Sequence, residues 1–276
     1  MKFFKMHGLG NDFVLFDGRD VENVDWNALA GKVCERHTGV GADGMLVLLR
    51  SAIADVRMRT IGADGREAAP NGIDLCAFSR FCFENGVVRG TTFTVETGAG
   101  VMRPRILLKN GRTDSIRVDL GEPVLDAQDV PVHVEGRAIG LFLNKEDRSF
   151  SFSAVRILAP HAVVFAEQMR DADVQKYGPL IGTDPLFPEG ANVDFVEILS
   201  NERIRMRTWT KGSGCTLASG TGACAASIAC ALSGKTGRTV TVETARGVLQ
   251  VEWPEADNHV SLICRTEPVF SGVWNK

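Results

Sequence analysis

An α+β fold of two pseudo-symmetric domains is predicted, each a curved, mostly antiparallel sheet wrapped around a central helix. Three observations predict it. The chain contains a second copy of itself in register, each copy reads as a series of short strands, and each carries one helix that lacks a polar face.

The duplication is visible by eye. Val56-Arg57-Met58-Arg59-Thr60 returns as Ile204-Arg205-Met206-Arg207-Thr208, and at the same spacing Gly72 falls on Gly220, Cys76 on Cys224, Cys82 on Cys230 and Gly86 on Gly234. Thr92 to Thr97 matches Thr239 to Thr244, and Phe13-Val14-Leu15-Phe16 has a looser echo in Ala162-Val163-Val164-Phe165. Two homologous halves follow, residues 1–122 and 123–264, with Asp119 to Pro131 as the linker. A tail, residues 265–276, is expected to complete the first half.

Strands are expected in the first half over Asp12–Phe16, Met45–Leu49, Val56–Ile61, Thr92–Thr97, Arg105–Leu108 and Ser115–Val118. These runs are rich in Val, Ile, Phe and Thr and bounded by Gly, Asp or Asn. The second half repeats the pattern over Ser151–Ile157, Ala162–Phe165, Val193–Leu199, Ile204–Thr208, Val240–Thr244, Val248–Trp253 and Val260–Cys264. Outer helices are expected over Trp26–Arg36 and Ala172–Tyr177. The central helices, Gly72–Glu84 and Gly220–Leu232, are apolar or small on nearly every face, and such a helix must be enclosed by the rest of its domain.

Composition excludes several classes. The 276 residues are 44% hydrophobic and 24% charged, ample for a packed core and unlike a disordered chain. Thirty-one Lys and Arg against 34 Asp and Glu leave a net charge of −3, without the basic excess that binding to nucleic acid requires. Seven cysteines without C-x-x-C spacing argue against a metal site and a disulfide framework, and so for a reducing, cytoplasmic setting. The first residues contain no apolar run of signal-peptide length. Gly212 to Gly234 is uncharged but built from small residues, so it reads as a buried segment with no membrane span.

Each central helix opens at a loop of small residues, Gly62 to Gly72 in one half and Gly212 to Gly222 in the other, with Asn71 and Ser219 as N-caps. The first amides of a helix lack internal partners and lie at its positive end, which favours a carboxylate or phosphate. One such loop taken alone is explained by capping. Two equivalent ones in a duplicated chain are expected to meet at the domain interface and grip an anion from both sides.

His7-Gly8-Leu9-Gly10-Asn11-Asp12-Phe13, Arg36-His37-Thr38-Gly39-Val40-Gly41-Ala42-Asp43-Gly44, Ala63-Asp64-Gly65, Pro160-His161, Ala191-Asn192-Val193 and Gly220-Thr221-Gly222-Ala223-Cys224-Ala225 together resemble diaminopimelate epimerase. The resemblance covers nearly the whole chain in the right order. It implies a diaminopimelate epimerase-like pair of domains, no pyridoxal phosphate or other cofactor, an amino-acid-like carboxylate substrate and, commonly, a homodimer. It also implies two cysteines that face the substrate α-carbon from opposite sides, one thiolate removing a proton and one thiol returning it.

Those cysteines are absent here. The family's Cys-Gly-Asn-Gly becomes Asn71-Gly72-Ile73-Asp74, and its Cys-Gly-Thr-Gly becomes Ser219-Gly220-Thr221-Gly222. A shift of two residues would put Ala69 at the first thiol position, but the gapless internal repeat pairs Asn71 with Ser219, and either register lacks a cysteine. An amide has no basic lone pair and a hydroxyl accepts a proton poorly unless activated, so two-thiol racemisation is not expected. Family positions for substrate contacts change as well, to Ala159, Gly62, Thr210 and Lys211, whereas Asn11, Asn192, Gly220 and Thr221 match.

The replacement acid–base candidates are His161, Asp12, Cys215 and Ser219, with Asn71 at the start of the first central helix and Asp74 as a weaker candidate. Substrate contacts are expected from Asn11, Gly72, Asn192, Lys211, Gly220 and Thr221. Each has a plain structural alternative: a satisfied interface histidine, a capping carboxylate, a small loop cysteine, a solvated lysine. Cys76, Cys82, Cys224 and Cys230 read as core. Three functions stay open: an isomerisation, elimination or cyclisation by proton transfer; an inactive amino-acid-binding homologue; or an epimerase whose thiols were mutated.

Overall fold

The computed structural model of the protein describes residues 1–168 and 170–275. Two compact units are present, Met1–Asp119 with Ile263–Lys276, and Leu120–Leu262. In chain order the first carries β1 (Lys2–Gly8), β2 (Asn11–Asp17), α1 (Trp26–Val33), β3 (Gly44–Leu49), β4 (Val56–Gly62), α2 (Ile73–Glu84), β5 (Val95–Thr97), β6 (Gly100–Met102), β7 (Arg105–Lys109) and β8 (Arg112–Asp119). The second carries β9 (Leu141–Lys145), β10 (Arg148–Ile157), β11 (Ala159–Phe165), α3 (Asp171–Gly182), β12 (Asn192–Ser200), β13 (Arg203–Thr210), β14 (Gly214–Thr216), α4 (Gly220–Leu232), β15 (Thr239–Thr244) and β16 (Gly247–Glu252). The chain then runs through β17 (Ser261–Cys264) to β18 (Glu267–Val273), which returns to the first unit and pairs antiparallel with β1. Lys276, the end of the expected tail, lies outside the described residues.

The two units share one topology. In the first the strand order is β18-β1-β2-β3-β4-β5-β6, with β2–β3 and β4–β5 parallel and the other pairs antiparallel. In the second it is β9-β10-β11-β12-β13-β15-β16, with β11–β12 and β13–β15 parallel. The same parallel pairings at the same places identify a duplicated unit. Each unit encloses its own helix: α2 packs against β1, β2, β3, β4, β7 and β8, and α4 against β10, β11, β12, β13, β15 and β16.

Burial explains the sequence pattern. β3 reads as an unbroken apolar run because both of its faces are covered. Met45 and Val47 pack with Trp26, Ala30 and Val33 of α1, while Leu46 and Leu48 are also fully buried. α4 buries every residue from Gly220 to Cys230, including the hydroxyls of Thr221 and Ser227. The glycine turns that end α2 and α4 match too: Gly86 and Gly234 have φ of +67° and +65°, a conformation that L side chains disfavour.

Several boundaries differ from expectation for physical reasons. α1 stops at Val33 and does not reach Arg36, because the chain turns back and the amides of Val40 and Gly41 both donate to the Val33 carbonyl. α2 starts at Ile73, since Gly72 has φ +86° and is not helical. α3 runs to Gly182, past a Gly178-Pro179 pair that reads as a helix stop. Trp209 lies so close that a Cβ at Gly178 would be 2.5 Å from the Trp209 Cβ, so glycine here admits a neighbour's ring. Part of the glycine loop before α4 is strand β14, in which Cys215 is the register partner of Trp209.

Candidate active site

In the second unit the candidate residues come from three adjacent strands and the first turn of α4. His161 on β11 is the parallel register partner of Asn192 on β12, and Asp194, two residues further along β12, is the antiparallel partner of Thr208 on β13. Residues two apart on a strand share a face, so these side chains gather on one side of the sheet. His161 Nδ1 lies 2.7 Å from Asp194 Oδ2, and Thr208 Oγ1 donates to Asp194 Oδ1 at 2.7 Å. All three are buried, His161 and Asp194 completely. The other imidazole nitrogen, Nε2, is buried without a hydrogen-bond partner among the described residues. A buried polar atom left unpaired is costly, which marks this nitrogen as one that a ligand would satisfy.

Directly above this group α4 begins. Ser219 is its N-cap, in extended conformation, and its Oγ accepts from the Gly222 amide at 3.0 Å. A Cβ built on Gly222 would collide with Asp194 Oδ1 and lie 2.9 Å from Ser219 Oγ. The carboxylate and the serine hydroxyl thus flank the same α-carbon, and glycine is required there by space. Asn192 Oδ1 accepts from the Lys211 amide at 3.0 Å, tying β12 to the loop after β13. The Lys211 ammonium is taken by the Glu189 carbonyl, so as placed it is not pointed at a substrate by an ion pair. Gly220 and Thr221, both buried, form the first turn of α4.

The first unit builds its helix start differently. Asn71 Oδ1 accepts from the amides of Ile73 (2.9 Å) and Asp74 (3.1 Å), and the Asp74 carboxylate accepts in return from the Asn71 amide (3.0 Å) and from Leu75 (2.7 Å). The N-cap of α2 is Gly72 and not the expected Asn71, because the chain takes a positive φ at Gly72 before the helix begins; Asn71, one residue earlier, and Asp74 exchange bonds across it. Asp74 is completely buried. Burial pushes its carboxyl up to about 6, partly offset by those amides and by Thr60 Oγ1 at 3.4 Å.

Two of the acid–base candidates sit in surroundings that oppose proton transfer. Asp12 accepts from Lys5 Nζ at 2.7 Å and, through both oxygens, from Arg36 at 3.0 and 2.8 Å, while Arg36 also bridges to Asp43. Burial alone would raise the Asp12 carboxyl, but the hydrogen bonds and charges of Arg36 and Lys5 outweigh it and hold it well below the usual carboxylate range. Both oxygens of this carboxylate are engaged by cations, as in a structural clasp. Asp43 beside it is pushed up, by burial first and by the charge of Asp12. Cys215 is exposed, and partial burial with the charge of Asp171 raises its thiol above the ordinary value, the opposite of an activated thiolate. Asn11 opens β2 opposite Gly8. Cys76, Cys82, Cys224 and Cys230 are buried inside the helices.

Sequence reasoning missed Asp194 and Thr208. Thr208 carried a signal, since it stands on the apolar side of an alternating strand after Ile204 and Met206 and repeats Thr60, whereas Asp194 lies in the non-alternating run Val193 to Val196 and carried none.

Comparison with known proteins adds the decisive observation. The family model described as diaminopimelate epimerase matches residues 3–125 and 154–269. The chain belongs to the diaminopimelate epimerase family. Among curated relatives, the diaminopimelate epimerase of Pelotomaculum thermopropionicum is 44% identical over 277 residues, covering 99% of each chain. That of Methanococcus maripaludis (strain C6) is 37% identical over 273 residues, again with 99% of each chain covered. Solved structures share the fold at lower identity. A Bacillus anthracis phenazine biosynthesis protein of the PhzF family superposes with a TM-score of 0.70 at 17% identity, over 99% of this chain and 98% of that one. A hydroxyproline epimerase from Agrobacterium vitis, solved with trans-4-hydroxy-L-proline, reaches 0.73 at 15% identity over 99% and 91%. As a diaminopimelate epimerase family member, the chain is of isomerase type. Among its described residues no helix is long and apolar enough to cross a membrane.

Proposed function

We propose that this family member transfers a proton at a carbon of an amino-acid-like carboxylate substrate without a cofactor, using His161 as the acid–base group in place of a thiol pair. The observation that carries the reading is His161 itself, buried and oriented by Asp194 next to the Ser219 end of α4, with Nε2 unpartnered. The unpartnered ring nitrogen offers a basic lone pair, which neither the Asn71 amide nor an unassisted Ser219 hydroxyl supplies. In this reading the first turn of α4, at Gly220 and Thr221, and the side chain of Asn192 hold the substrate carboxylate and amine. Ser219 Oγ accepts from Gly222 and keeps its own proton to donate. The residues Gly62, Ala159 and Thr210, where the family carries polar or charged contacts, support a substrate other than diaminopimelate.

Binding without turnover is the competing reading, and one observation favours it: Asn71 Oδ1 and Ser219 Oγ are both already engaged as cap acceptors. Incubation with diaminopimelate and a panel of amino acids in heavy water separates the two. Deuterium uptake that His161→Ala abolishes supports proton transfer; saturable binding with no uptake supports the binding protein.

A further inference from the structure

The half of the molecule that holds His161 contains more machinery than a lone base requires. Thr208, Asp194 and His161 form a buried chain across three neighbouring strands, each link 2.7 Å long. Charge-assisted bonds of this kind are strong, and burying them is worthwhile only when every member is satisfied. Every polar atom in the chain has a partner except His161 Nε2. Asp194 offers only acceptor oxygens when ionised, so Nδ1–H donates to it and Nε2 of the neutral ring is left as the lone-pair nitrogen.

Asp194 also has a fixed seat. The Gly222 α-carbon lies against Oδ1 so closely that any side chain there would displace it, and the Thr208 hydroxyl closes the other approach to that oxygen. The carboxylate is confined by the helix, the threonine and the imidazole together. Lacking either neighbour, it could rotate and release Nδ1.

We propose that Asp194 and Thr208 are positioning residues for His161. Thr208 anchors the carboxylate, the carboxylate fixes the Nδ1–H tautomer and the ring plane, and Nε2 is thereby kept as the nitrogen offered to the substrate. This rests on the reading of His161 as the acid–base group, but the tautomer can be measured without substrate.

Ring-nitrogen NMR of the full-length, uniformly nitrogen-15-labelled chain tests it, with the His161 signals assigned from their loss in His161→Gln. The wild type is expected to show Nδ1 protonated and Nε2 unprotonated, in a single tautomer. In Asp194→Asn and Thr208→Val both tautomers should be populated, and any deuterium exchange into substrate should lose about tenfold to a hundredfold in kcat while KM holds within about twofold. Thr208→Ser, which keeps the hydroxyl, should restore the wild-type spectrum and rate, and it stands as the test if the valine variant does not fold. A single unchanged tautomer in folded Asp194→Asn and Thr208→Val overturns the proposal. If instead the tautomer responds but His161→Ala leaves exchange at the wild-type rate, the acid–base reading of His161 fails while the positioning of its ring stands.

Discussion

The Asp194 carboxylate occupies the space that a side chain at residue 222 would fill. In the first half the residue equivalent to Gly222 is Asp74, and Thr60, the counterpart of Thr208, donates to it. Both halves therefore bury one carboxylate under the first turn of the central helix, bonded to the same threonine. In one half the helix supplies it; in the other the sheet does. The switch changes what each carboxylate meets. Asp74 is consumed by the amides of its own helix, whereas Asp194 faces a histidine.

Gly222→Ala should show how tight that seat is. The added methyl must push aside Asp194 Oδ1 or Ser219 Oγ, and overpacking of a dense interior costs about 1–3 kcal/mol. Urea denaturation should register the loss, and the His161 ring signals should shift with it; an unchanged midpoint would mean that the helix start yields freely.

Asp74 makes the stability of the first half depend on pH. Its carboxyl lies near 6 in the folded chain against an ordinary value of 3.8, so the folded state binds the proton more tightly. The stabilisation is complete below the ordinary value and is lost as pH rises through about 6. Asp74→Asn, which keeps the shape and an acceptor oxygen, removes that dependence. Relative to wild type the variant should gain stability between pH 4 and pH 6, by up to about 3 kcal/mol. Melting curves across that range check it, and parallel curves for the two proteins would refute it.

Asp12 behaves in the opposite sense. Its carboxyl is held low, so the stability it contributes is present above the ordinary carboxylate value and fades as pH falls below it. Asp12→Asn strands the buried Lys5 ammonium, which keeps only the Gly41 carbonyl, and should cost about 2–4 kcal/mol at pH 7. The difference should shrink near pH 3. If the variant kept full stability but lost activity, Asp12 would be a proton carrier after all.

Capping explains much of what Asn71 and Ser219 do, whatever else they do. Asn71→Ala and Ser219→Ala should each destabilise the chain by about 1 kcal/mol, read as a shift in denaturation midpoint, because each leaves helix amides without their acceptor. Ser219→Thr, which can cap in the same way, should recover most of the loss.

The scaffold was legible in the sequence because duplication and apolar periodicity are both written into it. The enclosed helices could be placed almost to the residue, since a helix with no polar face has a single physical explanation. β1, β6, β9, β14 and β18 went unread: β6 and β14 are three residues long, and the exposed β18 owes its strand state to pairing with β1 rather than to its own pattern. Within the candidate site, His161 and Ser219 could be picked out by residue type and position. Asp12 could not be judged, because its meaning depends on Lys5 and Arg36, which only the folded chain brings to it. Asp194 was hidden for the same reason. A carboxylate in a strand declares a role only once its neighbours on β11 and β13 are known.

The central claim is that proton transfer in this member of the diaminopimelate epimerase family runs through His161 and not through sulfur. Mass spectrometry of diaminopimelate and an amino-acid panel after incubation in heavy water tests it most directly, comparing wild type, His161→Ala and the variant in which Asn71 and Ser219 are both replaced by Cys. Expected are deuterium uptake into a panel member by the wild type, its loss in His161→Ala, and no inversion of diaminopimelate by the wild type. Uptake undiminished in His161→Ala, or exchange that appears only once both cysteines are introduced, would contradict it.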